Sequence, residues 1–428
     1  MRVLFIVPYP PSLIRVRAYH FVRGLAARGH RVTVAAPWVT PADRAELENV
    51  REFGCEVLTT RVSKYRSMTN CAFALASSAP LQSAYSWSPE LAQMIEKALV
   101  DKPFEIIHVE HLRGARYGLF ALDVVKRLAR GSEQRPRVVF DSVDCISNLF
   151  EQSSSRGGGI MRRLTGFDRP RTQAYEGLLV RTFDRTVATT KHETDSLARL
   201  AAVDLDAPPA PVRNGVDLDY FAHRHGVRAP ETVVMTGKMS YHANVAAAKY
   251  LVEEVMPIVW AERPHVRVEI VGKAPTTEVQ ALAYPEGRPQ KRSREVLVTG
   301  EVPDLRPYLW RAAVAVAPIV YGAGVQNKVL EAMAASAPVV SSPQAVSSLE
   351  VRNGKDLLIG RTAEEMASHL LTLLANEDLR RRIGDAGRAF VEERYGWDSA
   401  LATLESIYQQ ALAPSETEAS EAAMERKA

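Results

Sequence analysis

The segment Tyr321-Gly322-Ala323-Gly324-Val325-Gln326-Asn327-Lys328-Val329-Leu330-Glu331-Ala332-Met333-Ala334 gathers two glycines, a lysine and a glutamate into one loop and one turn of helix. It follows the apolar run Val314 to Ala317, so the glycines fall where a strand ends and let backbone approach a ligand closely. A helix beginning near Val325 aims its unpaired N–H groups and positive dipole end at the same point, which makes an anion site. Lys328 falls in the first turn, where an ammonium reaches a diphosphate as a point charge. Glu331 lies one turn on along the same face, and its carboxylate can accept two hydrogen bonds from a diol. The competing reading is a plain i,i+3 surface pair, and the glycine loop outweighs it.

Other strand ends carry weaker signals. Val234-Met235-Thr236-Gly237-Lys238-Met239-Ser240 is a second strand-to-glycine turn with a cation, or else a solvated loop lysine. Gly300-Glu301-Val302-Pro303-Asp304-Leu305 follows the run Val296 to Thr299 and also reads as an ordinary helix entry with proline in its first turn. In the first half, Pro8 to Arg17 bridges the first strand and first helix at the carboxyl edge, where ligands of such sheets bind. Arg15 and Arg17 there either reach a substrate or line the rim. Glu110 and His111 end the run Ile106 to Val109, and Asp144 follows Phe140-Asp141-Ser142-Val143. Asp144 orients an acceptor hydroxyl or caps the next helix.

The elements that must hold these residues are legible from hydrophobic patterning. Runs rich in Val and Ile alternate with stretches of helical period, the mark of parallel strands covered on both faces. They are Val3 to Val7, Val32 to Ala36, Glu56 to Val62, Ile106 to Val109, Val138 to Phe140 and Thr186 to Thr189. In the second half they are Val233 to Thr236, Val266 to Val271, Val296 to Thr299, Val314 to Ala317, Val339 to Ser342 and Leu357 to Ile359. Two doubly wound α/β domains follow, joined near Asp206-Ala207-Pro208-Pro209-Ala210-Pro211, where proline density predicts a linker. The expected divisions are 1–205, 206–395, a helix over 396–412 packing back on the first domain, and a disordered tail over 413–428.

A chain of 428 residues suits two such domains, and 46% hydrophobic with 24% charged residues is a soluble globular composition. Cys55, Cys71 and Cys145 are too few and too scattered for a disulfide framework or a metal-ligand pattern, so a reducing, cytoplasmic compartment is expected. The net charge of +4 hides an asymmetry: residues 1–205 carry 29 Lys and Arg against 21 Asp and Glu, leaving the remainder acidic. An anionic partner of the first half, such as a membrane surface or phosphorylated acceptor, competes with simple solvation of exposed helices. Arginines cluster at Arg156, Arg162, Arg163, Arg169 and Arg171. No nucleic-acid motif is present.

The whole pattern from Val3 to about Tyr408 resembles retaining glycosyltransferase family 4, closest to the sugar transferases of exopolysaccharide and PEP-CTERM exosortase systems. The resemblance implies a GT-B fold of two Rossmann-like domains facing a central cleft, and metal-independent transfer of a sugar, with retention, from a nucleoside diphosphate donor. The base, UDP or GDP, stays open, no cofactor is implied, and the acceptor is a glycan or lipid-linked glycan at the inner membrane face. It further implies that Lys328 holds the diphosphate, Glu331 the ribose, Lys238 beside Gly237 a second cation, and Val302 the base through its backbone. His111 and Glu110 fall near a histidine that contacts the donor sugar, while Arg15, Arg17 and Asp144 face the acceptor side. The family's second glutamate is Ala323 here, which leaves sugar recognition to the backbone N–H groups of Gly324 and Val325. The only Asp-x-Asp triplets, Asp204-Leu205-Asp206 and Asp217-Leu218-Asp219, flank the linker, so no divalent cation is expected. Two alternatives are a nucleotide-sugar epimerase of the same fold and a non-catalytic nucleotide-sugar binder.

Overall fold

The structure, a computed structural model, describes residues 1–128, 135–154, 159–222, 228–283, 295–321 and 326–413, without side chains for 152–154 and 159–165. The chain divides into two compact units, Met1–Asn214 with Ala400–Ala428, and Gly215–Ser399.

The first unit is built on a seven-stranded sheet of order β3-β2-β1-β4-β5-β6-β7. Its strands are β1 (Arg2–Ile6), β2 (Arg31–Trp38), β3 (Glu56–Arg61), β4 (Ile106–Glu110), β5 (Arg137–Val143), β6 (Arg185–Ala188) and β7 (Ala210–Pro211). Every neighbouring pair is parallel. Continuous apolar stretches form these strands because helices cover both faces: all five residues of β4 are buried, as are Val3 to Ile6 of β1. Polar caps start the covering helices. Thr40 and Asp43 close a capping box ahead of Pro41–Glu52, and Ser63 and Thr190 each accept an N–H of the helix that follows. The last helix, Trp397–Leu412, enters this unit from Ala400 onward, burying Leu401, Leu404, Ile407 and Tyr408.

The proline-rich stretch departs from expectation. Ala210 and Pro211 form an edge strand of the first sheet, paired with Val187 and Ala188. An edge strand needs hydrogen bonds on one side only, so a proline, with no N–H to donate, is tolerated there. The next residues, Val212 to Asn214, also belong to the first unit.

The second unit holds a six-stranded parallel sheet of order β10-β9-β8-β11-β12-β13. These are β8 (Ala229–Thr236), β9 (Arg267–Val271), β10 (Glu295–Gly300), β11 (Ala312–Ala317), β12 (Val339–Ser341) and β13 (Leu358–Ile359). β11 is buried along its whole length. The helix after it runs Asn327–Ala334 and sends Val329, Leu330, Ala332 and Met333 into the core, leaving Lys328 and Glu331 on its other face.

Both sheets reverse their winding at one place, between β1 and β4 in the first unit and between β8 and β11 in the second. In open parallel sheets the connections leaving such a switch point diverge and open a crevice at the carboxyl ends of the strands. The turns after β1, β4, β8 and β11 are the ones that carry the polar motifs of the sequence.

Candidate functional site

In the second unit the switch point is bare backbone flanked by cations. Gly237 follows β8 with φ +151°, and Gly272 follows β9 with the same φ. Their segments approach so closely that a Cβ on Gly272 would lie 1.7 Å from the Gly237 carbonyl oxygen, a contact only glycine escapes. The Gly237 N–H donates to Val271 O (3.0 Å) and the Gly272 N–H to Gly300 O (3.2 Å), so three adjacent strand ends are laced together. Lys238, exposed, follows the first glycine and Lys273 the second.

Lys328 is the second residue of the Asn327–Ala334 helix, and its ammonium donates to Asn244 Oδ1. Burial lowers its pKa to about 8, opposed by the Glu331 carboxylate one turn on. Burial also raises Glu331 to about 7, opposed by Lys328. Each group is thus held where its charge is poorly solvated, the condition under which an incoming opposite charge binds strongly. Tyr321, four residues past the end of β11, stacks on His242 with ring centroids 5.5 Å apart and an interplanar angle of 11°. Val302, two residues past Gly300, is partly buried against the core. Gly322, Ala323, Gly324 and Val325 lie outside the described residues.

In the first unit the strand ends carry strained, non-glycine backbone. His111, just past β4, has φ +66°, and Val143, at the end of β5, has φ +65°. A left-handed conformation costs a residue with a Cβ energy and persists only where its surroundings impose it, often at functional sites. At His111 the constraint is its N–H, which donates to Asp141 O (2.6 Å). Its Nδ1 accepts from the Arg113 N–H (3.1 Å), which assigns the ring proton to Nε2. Burial and the cations Arg113 and Arg15 hold this imidazole neutral, with a pKa of about 3. His111 is a neutral donor at the carboxyl edge of the sheet.

Beside it, the Tyr9 hydroxyl donates to Glu110 Oε1 (3.1 Å), and the exposed Arg15 guanidinium lies 3.9 Å from the Tyr9 ring centroid. Asp144 is half-buried; burial, then the neighbouring Glu193, raises its pKa to about 6. It does not cap the following helix: Glu176 takes that place, accepting the N–H groups of Ile146 (2.6 Å) and Ser147 (3.4 Å).

Two expected site residues lie buried in the first unit. Arg17, expected to meet an acceptor, is 4% exposed and turned inward. Its Nε donates to Asp141 Oδ2 (2.7 Å), and one terminal nitrogen donates to Val212 O and Asn214 Oδ1. Glu110, expected to act beside His111, is 1% exposed. Glu110 closes β4 fully buried, while His111, one residue on in the left-handed turn, is half-buried. Burial and the nearby Asp141 raise Glu110 to a pKa of about 8, so it holds a proton at neutral pH. Arg171 is also committed internally, donating to the carbonyls of Ala74, Leu75 and Ser77 at the end of the helix Lys64–Leu75. Arg156 lies outside the described residues, as do the side chains of Arg162 and Arg163.

His108, Glu110 and Asp141 offer ligand atoms within 4.8 Å of one another, the one such group of metal-ligating character among the described residues. The set does not suit a cation, because Arg17 already places its guanidinium on Asp141, donating to Oδ2 at 2.7 Å. In the Asp-x-Asp triplet near the second unit's start, Asp217 accepts the Tyr220 N–H and caps a helical turn.

Sequence reading missed Tyr9, Asn244 and the Gly272-Lys273 turn. The last had a signal: Val271-Gly272-Lys273 repeats Thr236-Gly237-Lys238 at the end of the adjacent strand.

Comparison with known proteins agrees with the two-unit division. Residues 14–215 match a family described as Glycosyl transferase 4-like domain, and residues 230–376 match Glycosyl transferases group 1. A D-inositol 3-phosphate glycosyltransferase of Streptomyces coelicolor is 28% identical over 269 residues, covering 55% of this chain and 57% of the relative. One from Xylanimonas cellulosilytica is 31% identical over 269 residues, covering 55% and 59%. The chain thus spans less than two thirds of these relatives' length. In fold it is similar to a sucrose-phosphate synthase from Thermosynechococcus elongatus (TM-score 0.63, 15% identity, 96% of this chain and 98% of that one). It is likewise similar to Anabaena HepE, solved in complex with UDP (TM-score 0.62, 13% identity, 96% and 100%). Both halves of the chain thus match glycosyl transferase domains, each on a doubly wound unit, and the fold they share with these structures is GT-B.

Proposed function

We propose that the protein transfers a sugar, with retention at the anomeric carbon and without a metal ion, from a nucleoside diphosphate donor held by the second unit. The acceptor is a glycan or lipid-linked glycan of exopolysaccharide or cell-surface synthesis, met by the first unit. The observation that carries the reading is the pair at the second switch point: a half-buried ammonium at a helix N-terminus with a half-buried carboxylate one turn on. Lys328, Lys238 and the helix N-terminus stabilise the charge that grows on the leaving diphosphate. Glu331 receives the ribose diol, and Val302 meets the base through its backbone. His111, as a neutral imidazole, donates Nε2–H to a sugar hydroxyl, and Asp144 with Arg15 receives the acceptor. UDP on Anabaena HepE, and UDP with glucose on the same protein, support a nucleotide-sugar donor.

We place the protein in the cytoplasm against the membrane, and one helix supports the membrane contact. Lys64–Leu75 turns Ser67 and Ala74 inward and leaves Tyr65 (82%), Met68 (68%) and Phe73 (79%) exposed. Its apolar side therefore faces out, which suits a lipid interface. No described helix is long and apolar enough to cross a membrane.

The test is incubation of purified protein with UDP- and GDP-sugars and extracted lipid-linked glycans. Acceptor-dependent release of nucleoside diphosphate, with the anomeric configuration kept by NMR, is the expected result. Isomerisation without acceptor, or donor binding without turnover, would replace this reading with the epimerase or the binder. Sedimentation with anionic vesicles should drop when Tyr65, Met68 and Phe73 are changed to serine; unchanged binding removes the helix from the membrane contact.

A further inference from the structure

One side chain joins the two turns of the second switch point. Asn244, the third residue of the helix His242–Tyr250, is 5% exposed. Its Nδ2 donates to the Lys238 carbonyl oxygen (2.9 Å), and its Oδ1 accepts from the Lys328 ammonium. The amide is therefore committed at both ends, to the backbone of the turn after β8 and to the cation on the helix after β11. Gly237 is part of the fit, since a Cβ there would stand 2.8 Å from Asn244 Nδ2.

The choice of a neutral acceptor has consequences. A carboxylate at this position would form an ion pair and cancel the positive charge of Lys328; an aliphatic side chain would leave a half-buried ammonium without direction. An amide oxygen fixes where the ammonium points and leaves its charge to be compensated by something else. We propose that Asn244 is a positioning residue that aims the Lys328 ammonium at an arriving diphosphate while keeping that cation uncompensated. The proposal rests on the donor-site reading above and adds a residue to it.

The charged and titratable groups on the surrounding elements are few. Glu331 lies on Lys328's own helix, Lys238 and Lys273 follow β8 and β9, and His242 opens the helix of Asn244, stacked on Tyr321. Of these, Glu331 is the charge that acts on Lys328.

The experiment compares wild type with Asn244→Asp and Asn244→Ser. Lys328 is titrated by acetylation over roughly pH 6 to 10 with no nucleotide present, its modification read by mass spectrometry, and UDP affinity is measured by calorimetry. In Asn244→Asp the Lys328 midpoint should rise by about one unit or more, and UDP should bind about tenfold more weakly because the carboxylate has taken the cation's charge. Asn244→Ser has a shorter reach and should weaken UDP several-fold with little movement of the midpoint. A folded Asn244→Asp protein with an unmoved midpoint overturns the proposal. Should that variant not fold, UDP affinity in Asn244→Ser equal to wild type overturns it instead. The donor-site reading fails separately, if Lys328→Ala binds UDP as tightly as wild type, since the Lys328 midpoint in Asn244→Asp is read without ligand.

Discussion

The two switch points bury charge in opposite ways. At the first, Arg17, Asp141, Glu110, His108, Tyr9 and Tyr408 form a cluster whose charge is met from within: the guanidinium is ion-paired, the tyrosine hydroxyls are bonded, and Glu110 is neutralised by its own proton, although Arg17 Nη2, His108 Nε2 and Glu110 Oε2 are buried without a hydrogen-bond partner. At the second, the Lys328 ammonium is held by a neutral amide, and the nearest acid stands one turn away. A buried charge whose partner is internal serves the fold, and one whose partner is neutral is ready for a ligand. Both centres contain shifted acids, so a raised pKa alone does not separate a binding site from a core.

The largest effect that would break this contrast is on stability. Arg17→Ala leaves Asp141 buried and unpaired and should cost about 3–5 kcal/mol in urea unfolding of the first unit, with little change in UDP affinity of the folded fraction. An Arg17→Ala protein as stable as wild type would show that the cluster is not what holds these strand ends. At the second centre the sign is reversed. Lys328→Ala should reduce UDP affinity by roughly 10- to 100-fold, the worth of a charge-assisted contact of about 1.5–3 kcal/mol, while the ligand-free melting temperature stays unchanged. Loss of stability without loss of affinity would make this a second structural pair.

Gly272→Ala probes the backbone under the cations. A methyl group pressed on the Gly237 carbonyl should cost about 1–3 kcal/mol by denaturant unfolding, and should weaken UDP in step if that backbone shapes the site.

A pH measurement sharpens the first centre. The folded-state pKa of Glu110, about 8, is raised above its ordinary value of 4.5. The folded protein therefore binds that proton more tightly than the unfolded chain, and the associated stability is present at low pH and lost as pH rises from about 4.5 toward about 8. Glu110→Gln, always neutral, should remove this loss and melt on the order of 2–4 °C higher than wild type above that range, with the gap closing in acid. A gap that is constant with pH would show that Glu110 is not the titrating group. The smallest effect is expected at Arg15, exposed and resting on the Tyr9 ring. Arg15→Ala should change stability by no more than about 0.5 kcal/mol and raise the acceptor KM, as steady-state kinetics would register.

Much of this was written locally. Twelve strands are announced by apolar runs, because a strand covered on both faces must be apolar on both, and that constraint is visible in neighbouring residues. The Lys328 and Glu331 pair is equally local, set by a glycine loop and a helical turn. The brief strand Ala210–Pro211 was hidden because its prolines read as a break, and only a sheet edge at β6 makes room for them. Arg17 and Glu110 were assigned to substrate by position and resemblance, and Arg171 was one of a cluster of arginines; their partners lie 124, 101 and 97 residues away in the chain. Nor does spacing announce Asn244, 84 residues from the ammonium it holds.

The sequence by itself determined the strand and helix grammar, the two doubly wound halves and the one motif whose parts lie within a turn of each other. The tertiary structure alone decided which charges meet a charged partner within the fold and which, like Lys328, meet a neutral one. The reason is one of range: propensity and periodicity act over a few residues, whereas the direction of a charged side chain depends on the partners that folding brings to it, and those come from anywhere in the chain.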